Sequence, residues 1–173
     1  MKLAKLALIV GLGMVGINAA NAADAGHGTV TFKGSIISAP CSITPDTVDQ
    51  TVNLGQVSDA ALANYGTSTS VPFQISLENC TLTDTSAVTV TFTGQADATD
   101  ATMLGLNGSA QGAGIVIADQ SNSVITLGQA TAPQTLQDGN NTLAFNAYLK
   151  GNSAAAATPG DFQSVANFTL AYQ

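Results

Sequence analysis

Apolar and polar residues alternate in short runs along most of this chain, and that period of two constrains the fold more than any other feature. In Val71-Pro72-Phe73-Gln74-Ile75-Ser76-Leu77 the four large apolar residues share one parity. Side chains of a strand point to opposite faces in turn, so such a run buries one face and wets the other. Val88 to Phe92 and Leu143 to Leu149 repeat the pattern, and Gly114-Ile115-Val116-Ile117-Ala118 is apolar throughout, as a strand buried on both faces is. Thr29 to Ser38, Thr51 to Leu54 (closed by Gly55), Val124 to Leu127 and Ser164 to Tyr172 are further strand candidates. Pro72 fits an edge or the start of a strand, because it cannot donate to a ladder. Ala60 to Ala63 forms at most a helical turn between Ser58 and Gly66, and Asp138-Gly139-Asn140-Asn141 marks a turn. No long amphipathic helix, internal repeat or linker interrupts this order. Many short strands at regular spacing predict one all-β sandwich and argue against parallel βαβ units.

The two outermost strands lack local partners. Gly28-Thr29-Val30-Thr31-Phe32-Lys33-Gly34 stands at one end and Phe168-Thr169-Leu170-Ala171-Tyr172-Gln173 at the other. A strand that runs to the last residue has no following chain to cover its outer edge. An unpaired edge is a template for another strand, and an extended arm from a second molecule can fill it by strand addition. The ends therefore point to a protein that joins copies of itself.

Residues 1–22 read as a secretory leader. Lys2 and Lys5 give a basic start, Leu6 to Ile17 an apolar stretch, and Ala20-Asn21-Ala22 a small-residue cleavage site. A retained anchor is the alternative, but the apolar stretch is short for a bilayer. Cys41 and Cys80 are the two cysteines of an exported chain, whose natural state is one disulfide rather than two free thiols. Closing a loop of roughly 40 residues is worth about 4 kcal/mol in the chain-entropy picture. Beyond the leader only Lys33 and Lys150 are strong cations, against ten Asp and one Glu. That balance repels phosphate, makes nucleic acid a poor partner and disfavours binding to an anionic membrane.

Sites for chemistry are missing. His27 is the single histidine and lies in a Gly-rich segment, so no base stands beside a Ser or Cys nucleophile. Asp97 to Asp100 and Asp138-Gly139-Asn140 lack the spacing and closing Glu of a calcium loop. Gly112-Ala113-Gly114 lacks the strand-to-helix setting of a dinucleotide site, and Asn79-Cys80-Thr81 matches a glycosylation acceptor by chance. The expectation is a non-enzyme with no metal and no cofactor.

Four blocks in order resemble one family. They are Gly28-Thr29-Val30-Thr31-Phe32-Lys33-Gly34-Ser35-Ile36-Ile37-Ser38-Ala39-Pro40-Cys41-Ser42-Ile43, then Val48 to Val57, then Phe73 to Cys80, and finally a tail with Tyr172 penultimate and Gly160 well before it. The whole chain, leader included, resembles the subunits of chaperone–usher pili, and looks most like a major fimbrial subunit of the type 1 or P pilus kind.

The resemblance implies an immunoglobulin-like sandwich lacking its last strand, relatives of antibody domains in architecture only, since the Trp of the Cys…Trp…Cys pattern is absent. In that family a periplasmic chaperone first fills the groove. At the outer-membrane usher the N-terminal arm of the next subunit replaces it. Carried over, residues 23–34 are the donor arm, with Gly28, Val30 and Phe32 facing the groove, and 35–173 the pilin domain. Phe168, Leu170 and Tyr172 line the acceptor edge and meet the chaperone; Gly160 and Tyr172 belong to the assembly motif; Cys41 and Cys80 form the family's disulfide. Ala23-Asp24-Ala25-Gly26 departs from the pattern in having no large apolar residue, so the far end of the groove is filled weakly. The expected product is an adhesive surface fimbria exported through the periplasm, a homopolymer with this chain as its major shaft subunit and a host receptor engaged through the fibre. The alternatives are a minor adaptor subunit and a self-contained secreted carbohydrate- or protein-binding sandwich; a secreted hydrolase lacks its residues.

Overall fold

The computed structural model describes residues 27–84, 86–153 and 155–173. The expected leader and the first residues of the arm lie outside them. The chain divides into two units, Met1–Ile36 and Ile37–Gln173. Of the first, residues 27–36 carry neither helix nor strand, and their side chains are exposed.

The second unit is built on antiparallel strands. Its elements in order are β1 (Ser42–Ile43), α1 (Pro45–Val48), α2 (Asp59–Leu62) with a 3-10 turn at Ala63–Tyr65, β2 (Val71–Cys80), β3 (Ala87–Gly94), β4 (Leu104–Gly105), β5 (Asn107–Gly108), β6 (Ala113–Asp119), β7 (Gln134–Thr135), β8 (Gly139–Gly151), β9 (Phe162–Gln163) and β10 (Ala166–Tyr172). One sheet has the order β1-β2-β8-β6-β4, a second β10-β3-β7, and β5 pairs with β9. The register sets Phe73 opposite Phe145, Ile115 opposite Leu149 and Phe168 opposite Phe92.

The alternation read from the sequence is the alternation of burial. Ile75, Leu77, Val88, Val90, Leu143 and Phe145 are buried in one cluster between the sheets. Phe73, Phe92 and Phe145 meet at its centre, with ring centroids 5.1 Å apart for Phe92–Phe145 and 5.6 Å for Phe73–Phe145. The Phe92–Phe145 rings meet edge to face, the arrangement favoured by their quadrupoles. β6 is buried on both faces as its composition predicts. Cys41 and Cys80 are bonded to each other and buried, fastening the segment ahead of β1 to the end of β2.

Three predicted strands are absent. Thr29 to Ser38 and Thr51 to Leu54 form no strand, and Val124 to Leu127 contributes only an isolated bridge from Val124 to Ala118. Alternation reports which side chains can share a face, but a strand also needs a partner for its N–H and C=O groups. The turn at Gly55 is present, with φ +72° and its N–H held by the Asn53 side chain at 2.8 Å. Pro72 is the second residue of β2, opposite Asn146 of β8.

Phe145 touches both other rings and is 1% exposed. Phe145→Ala is expected to lower stability by about 3–5 kcal/mol, the usual loss for a buried aromatic truncated in a close-packed core, read as a lower midpoint in urea unfolding.

Candidate functional site

The site is an open strand edge over an apolar groove, and it grows from the parity of β10. Gln173 N–H donates to Ala87 O at 2.9 Å, and Ala87 N–H donates back to Gln173 O at 3.1 Å. In an antiparallel ladder such pairs alternate with pairs whose backbone groups point away. Ala171, Thr169 and Asn167 therefore bond β3, and Tyr172, Leu170, Phe168 and Ala166 turn their N–H and C=O groups to the other side. Among the described residues nothing bonds that side of β10. The same four residues are the half-buried ones, while Asn167, Thr169 and Ala171 are exposed. All four, Ala166, Phe168, Leu170 and Tyr172, pack against the core.

The other long edges are closed. On the far side of β3, Gly128 N–H reaches Phe92 O at 2.7 Å, Thr131 N–H reaches Val90 O at 2.9 Å, and the Thr131 hydroxyl accepts from Val90 N–H at 3.0 Å. On the far side of β2, Thr44 N–H donates to Ser76 O at 2.9 Å, the Thr47 hydroxyl accepts from Ser76 N–H at 3.1 Å, and the Gln50 amide donates to Gln74 O at 3.0 Å. Pro72 brings no donor to that edge at all. β10 alone of these strands is left as a template.

Beside the start of β10, at Ala166 to Phe168, lies a groove of about 1260 Å³. Phe73, Phe92, Ile115, Ile117, Leu149 and Phe168 give it apolar lining, and residues 48–57 and 157–168 flank it. Thr51 to Leu54, the strand expected but absent, belongs to this lining. Apolar surface left in water costs about 25 cal/mol per Å² relative to burial, so the groove is a standing demand for an apolar ligand.

Gly160 lies in the same lining, and its role is close approach. A Cβ there would run into the Ser109 side chain and come within 2.6 Å of Ala110 N. Around it Ser109 N–H donates to Asp161 O at 3.0 Å and Asp161 N–H to Ser109 Oγ at 3.1 Å, clamping the flank to the chain around β5. Tyr172 is partly buried, and that burial pushes its phenol pKa up. The structure thus brings Phe168 and Gly160 to one groove, while Leu170 and Tyr172 continue the same bare edge and pack against the core. Gly28, Val30 and Phe32 lie in the other unit, where Val30 is 75% and Phe32 90% exposed. Sequence reasoning did not find Ile115, Ile117 and Leu149: their runs mark them as buried, but nothing along the chain says that they border an opening.

The comparisons decide the family. The family model for "Fimbrial protein" matches residues 30–173. The chain belongs to the fimbrial protein family. The Fimbria A protein of Serratia marcescens is 54% identical over 174 residues, covering all of both chains. The Major MR/P fimbria protein of Proteus mirabilis is 55% identical over 176 residues, again covering all of both. Among solved structures, a subunit of a chaperone–usher pilus studied for the uncoiling of its rod superposes with a TM-score of 0.76 at 36% identity, covering 86% of this chain and 97% of that one. This fimbrial chain is a chaperone–usher-type pilus subunit with an incomplete immunoglobulin-like sandwich.

The acidic loop singled out in the sequence spends its carboxylates on its own chain. Among the described residues no cluster of metal-ligating side chains occurs. Asp97 accepts from Thr99 N–H at 2.9 Å, Asp100 N–H at 3.1 Å and the Asn152 amide at 3.1 Å. Burial by itself raises the Asp97 pKa; the Thr99 hydroxyl, these two N–H groups and Asn152 outweigh it, and the net shift is downward. The Thr102 hydroxyl and N–H lower Asp100, helped by Lys150 and opposed by Asp97. A carboxylate lowered in the folded state stabilises the fold above the unfolded value of about 3.9, and that support vanishes as pH falls through the folded value. The stability difference between the natural chain and Asp97→Ala is therefore expected to be full at neutral pH and to shrink steadily below about pH 4, measured by urea unfolding across pH.

Proposed function

We propose that this fimbrial subunit polymerises head to tail by donor-strand exchange and forms the major shaft of a surface fimbria. The observation that carries the reading is the unpaired edge of β10 above an apolar groove, in a fold whose other long edges are closed. The donor is the arm of residues 23–34, left by a signal peptide cut after Ala22. Gly28, Val30 and Phe32 share one parity, so one face of the arm enters the groove and its backbone bonds Phe168, Leu170 and Tyr172. Val30 and Phe32 contribute roughly 1.5–3 kcal/mol each on burial. Every hydrogen bond on the new ladder adds about 0.5–1.5 kcal/mol.

A contact between an arm on one copy and a groove on another is heterologous, and such contacts give an open filament when the rotation does not close. Before incorporation a bare apolar groove favours aggregation, so a periplasmic chaperone holds β10 and the outer-membrane usher exchanges it for an arm. The assembled fibre is exported to the cell surface, where it meets a host receptor. The major-shaft role rests on similarity to major fimbria proteins along the full chain.

Removal of residues 23–31, and separately Phe32→Asp, are expected to abolish fibres while the subunit is still exported. Electron microscopy of cells with intact chaperone and usher reads the outcome. Normal fibres from the shortened chain would overturn the donor assignment.

A further inference from the structure

The scarcity of cations gives this chain a feature that its fold treats unevenly. Arginine is absent, and beyond the leader lysine occurs only at positions 33 and 150. A serine protease of trypsin specificity, which cuts after Lys or Arg, therefore has two bonds to attack there: Lys33–Gly34 and Lys150–Gly151.

The second bond is shut by strand pairing. Lys150 lies in β8 opposite Gly114 of β6. On the other side of β8, Gly151 N–H donates to Gly66 O at 2.9 Å, Leu149 O accepts from Ser68 N–H at 2.9 Å, and Leu149 N–H donates to Ser68 Oγ at 3.0 Å. Leu62 packs directly against Gly151, and the Lys150 ammonium stands 4.0 Å from an Asp100 carboxylate oxygen. A protease binds its substrate as an extended strand with free backbone groups. A strand bonded on both sides must first open, and cleavage then follows the small open population. The first bond has no such guard, since residues 27–39 carry no helix or strand and Lys33 and Gly34 are exposed.

We infer that Lys33–Gly34 is a proteolytic switch of the unassembled subunit, cut by trypsin-type proteases before incorporation and closed to them afterwards. The inference rests on the donor-strand reading given above. Hydrolysis adds water across the amide: its oxygen joins the Lys33 carbonyl carbon, and Gly34 leaves as a free amine. The cut separates Gly28, Val30 and Phe32 from the sandwich, so a clipped subunit can accept an arm but has none to give. Lys33 has the opposite parity to Val30 and Phe32, and its side chain points out of the groove. Protection in the fibre therefore comes from seating the arm against β10, whose ladder takes up backbone groups that a protease must reach.

The test is timed trypsin digestion of the exported full chain as free subunit and as purified fibre, with cut sites read by mass spectrometry. In the free chain, cleavage after Lys33 is expected to run at least about a hundredfold faster than after Lys150, and in the fibre to fall by a similar factor. The Lys33→Gln free chain stays intact in the same digest. Equal rates at the two lysines in the free chain, or rapid loss of the Lys33→Gln chain, overturn the switch and leave the donor reading standing. Cleavage after Lys33 in intact fibres at the free-chain rate overturns both, because the arm is then not seated.

Discussion

The sandwich is arranged around backbone groups of β10 that have no partner among the described residues. A buried or half-buried N–H or C=O without a hydrogen bond costs about 1–3 kcal/mol, and proteins avoid such arrays. Here the array is kept, along Ala166, Phe168, Leu170 and Tyr172, while equivalent groups elsewhere are covered. β3 is closed by the chain around Thr131, and β2 by side chains in the roles of a strand, with Thr47 and Gln50 bonding Ser76 and Gln74. The difference between closed and open edges tells an incoming strand where to add.

In the proposed strand exchange, the apolar groove and the open edge act on the arm in different ways. Burial of Val30- and Phe32-like side chains is non-directional and supplies affinity. The ladder is directional and fixes register, since a slip of one residue turns every inward side chain outward. The Phe73, Phe92 and Phe145 cluster links the two, because Phe73 and Phe92 line the groove and Phe145 locks them from below. Occupation of the groove therefore extends the core that already holds the sheets together.

How much of this was legible in the sequence follows from what periodicity can report. Val71 to Leu77, Val88 to Phe92 and Leu143 to Leu149 are long enough for a period of two to stand out, Gly114 to Ala118 stands out as an unbroken apolar run, and each lies in a strand. Strands such as β4, β5, β7 and β9 have two residues apiece and carry no period. Thr29 to Ser38 and Thr51 to Leu54 show the pattern and are not strands, because alternation describes side chains and says nothing about a partner. At the site, Phe168, Leu170 and Tyr172 were readable from their own run. The closure of β2 was not: Gln50 and Gln74 are 24 positions apart, Thr47 and Ser76 are 29, and a side chain bonding a distant backbone group leaves no periodic mark.

The Cys41–Cys80 bond has a mechanical consequence. Tension applied to the residues ahead of Cys41 passes through the sulfurs to Cys80 and onward along the chain, so the backbone from Ser42 to Asn79 is off the load path. The two short helices, β1 and nearly all of β2 are relieved of pulling force, and the hydrogen bonds that shut the β2 margin are not the ones that strain first. A tethered molecule of this design yields at its non-covalent joints before its sandwich unravels from the front.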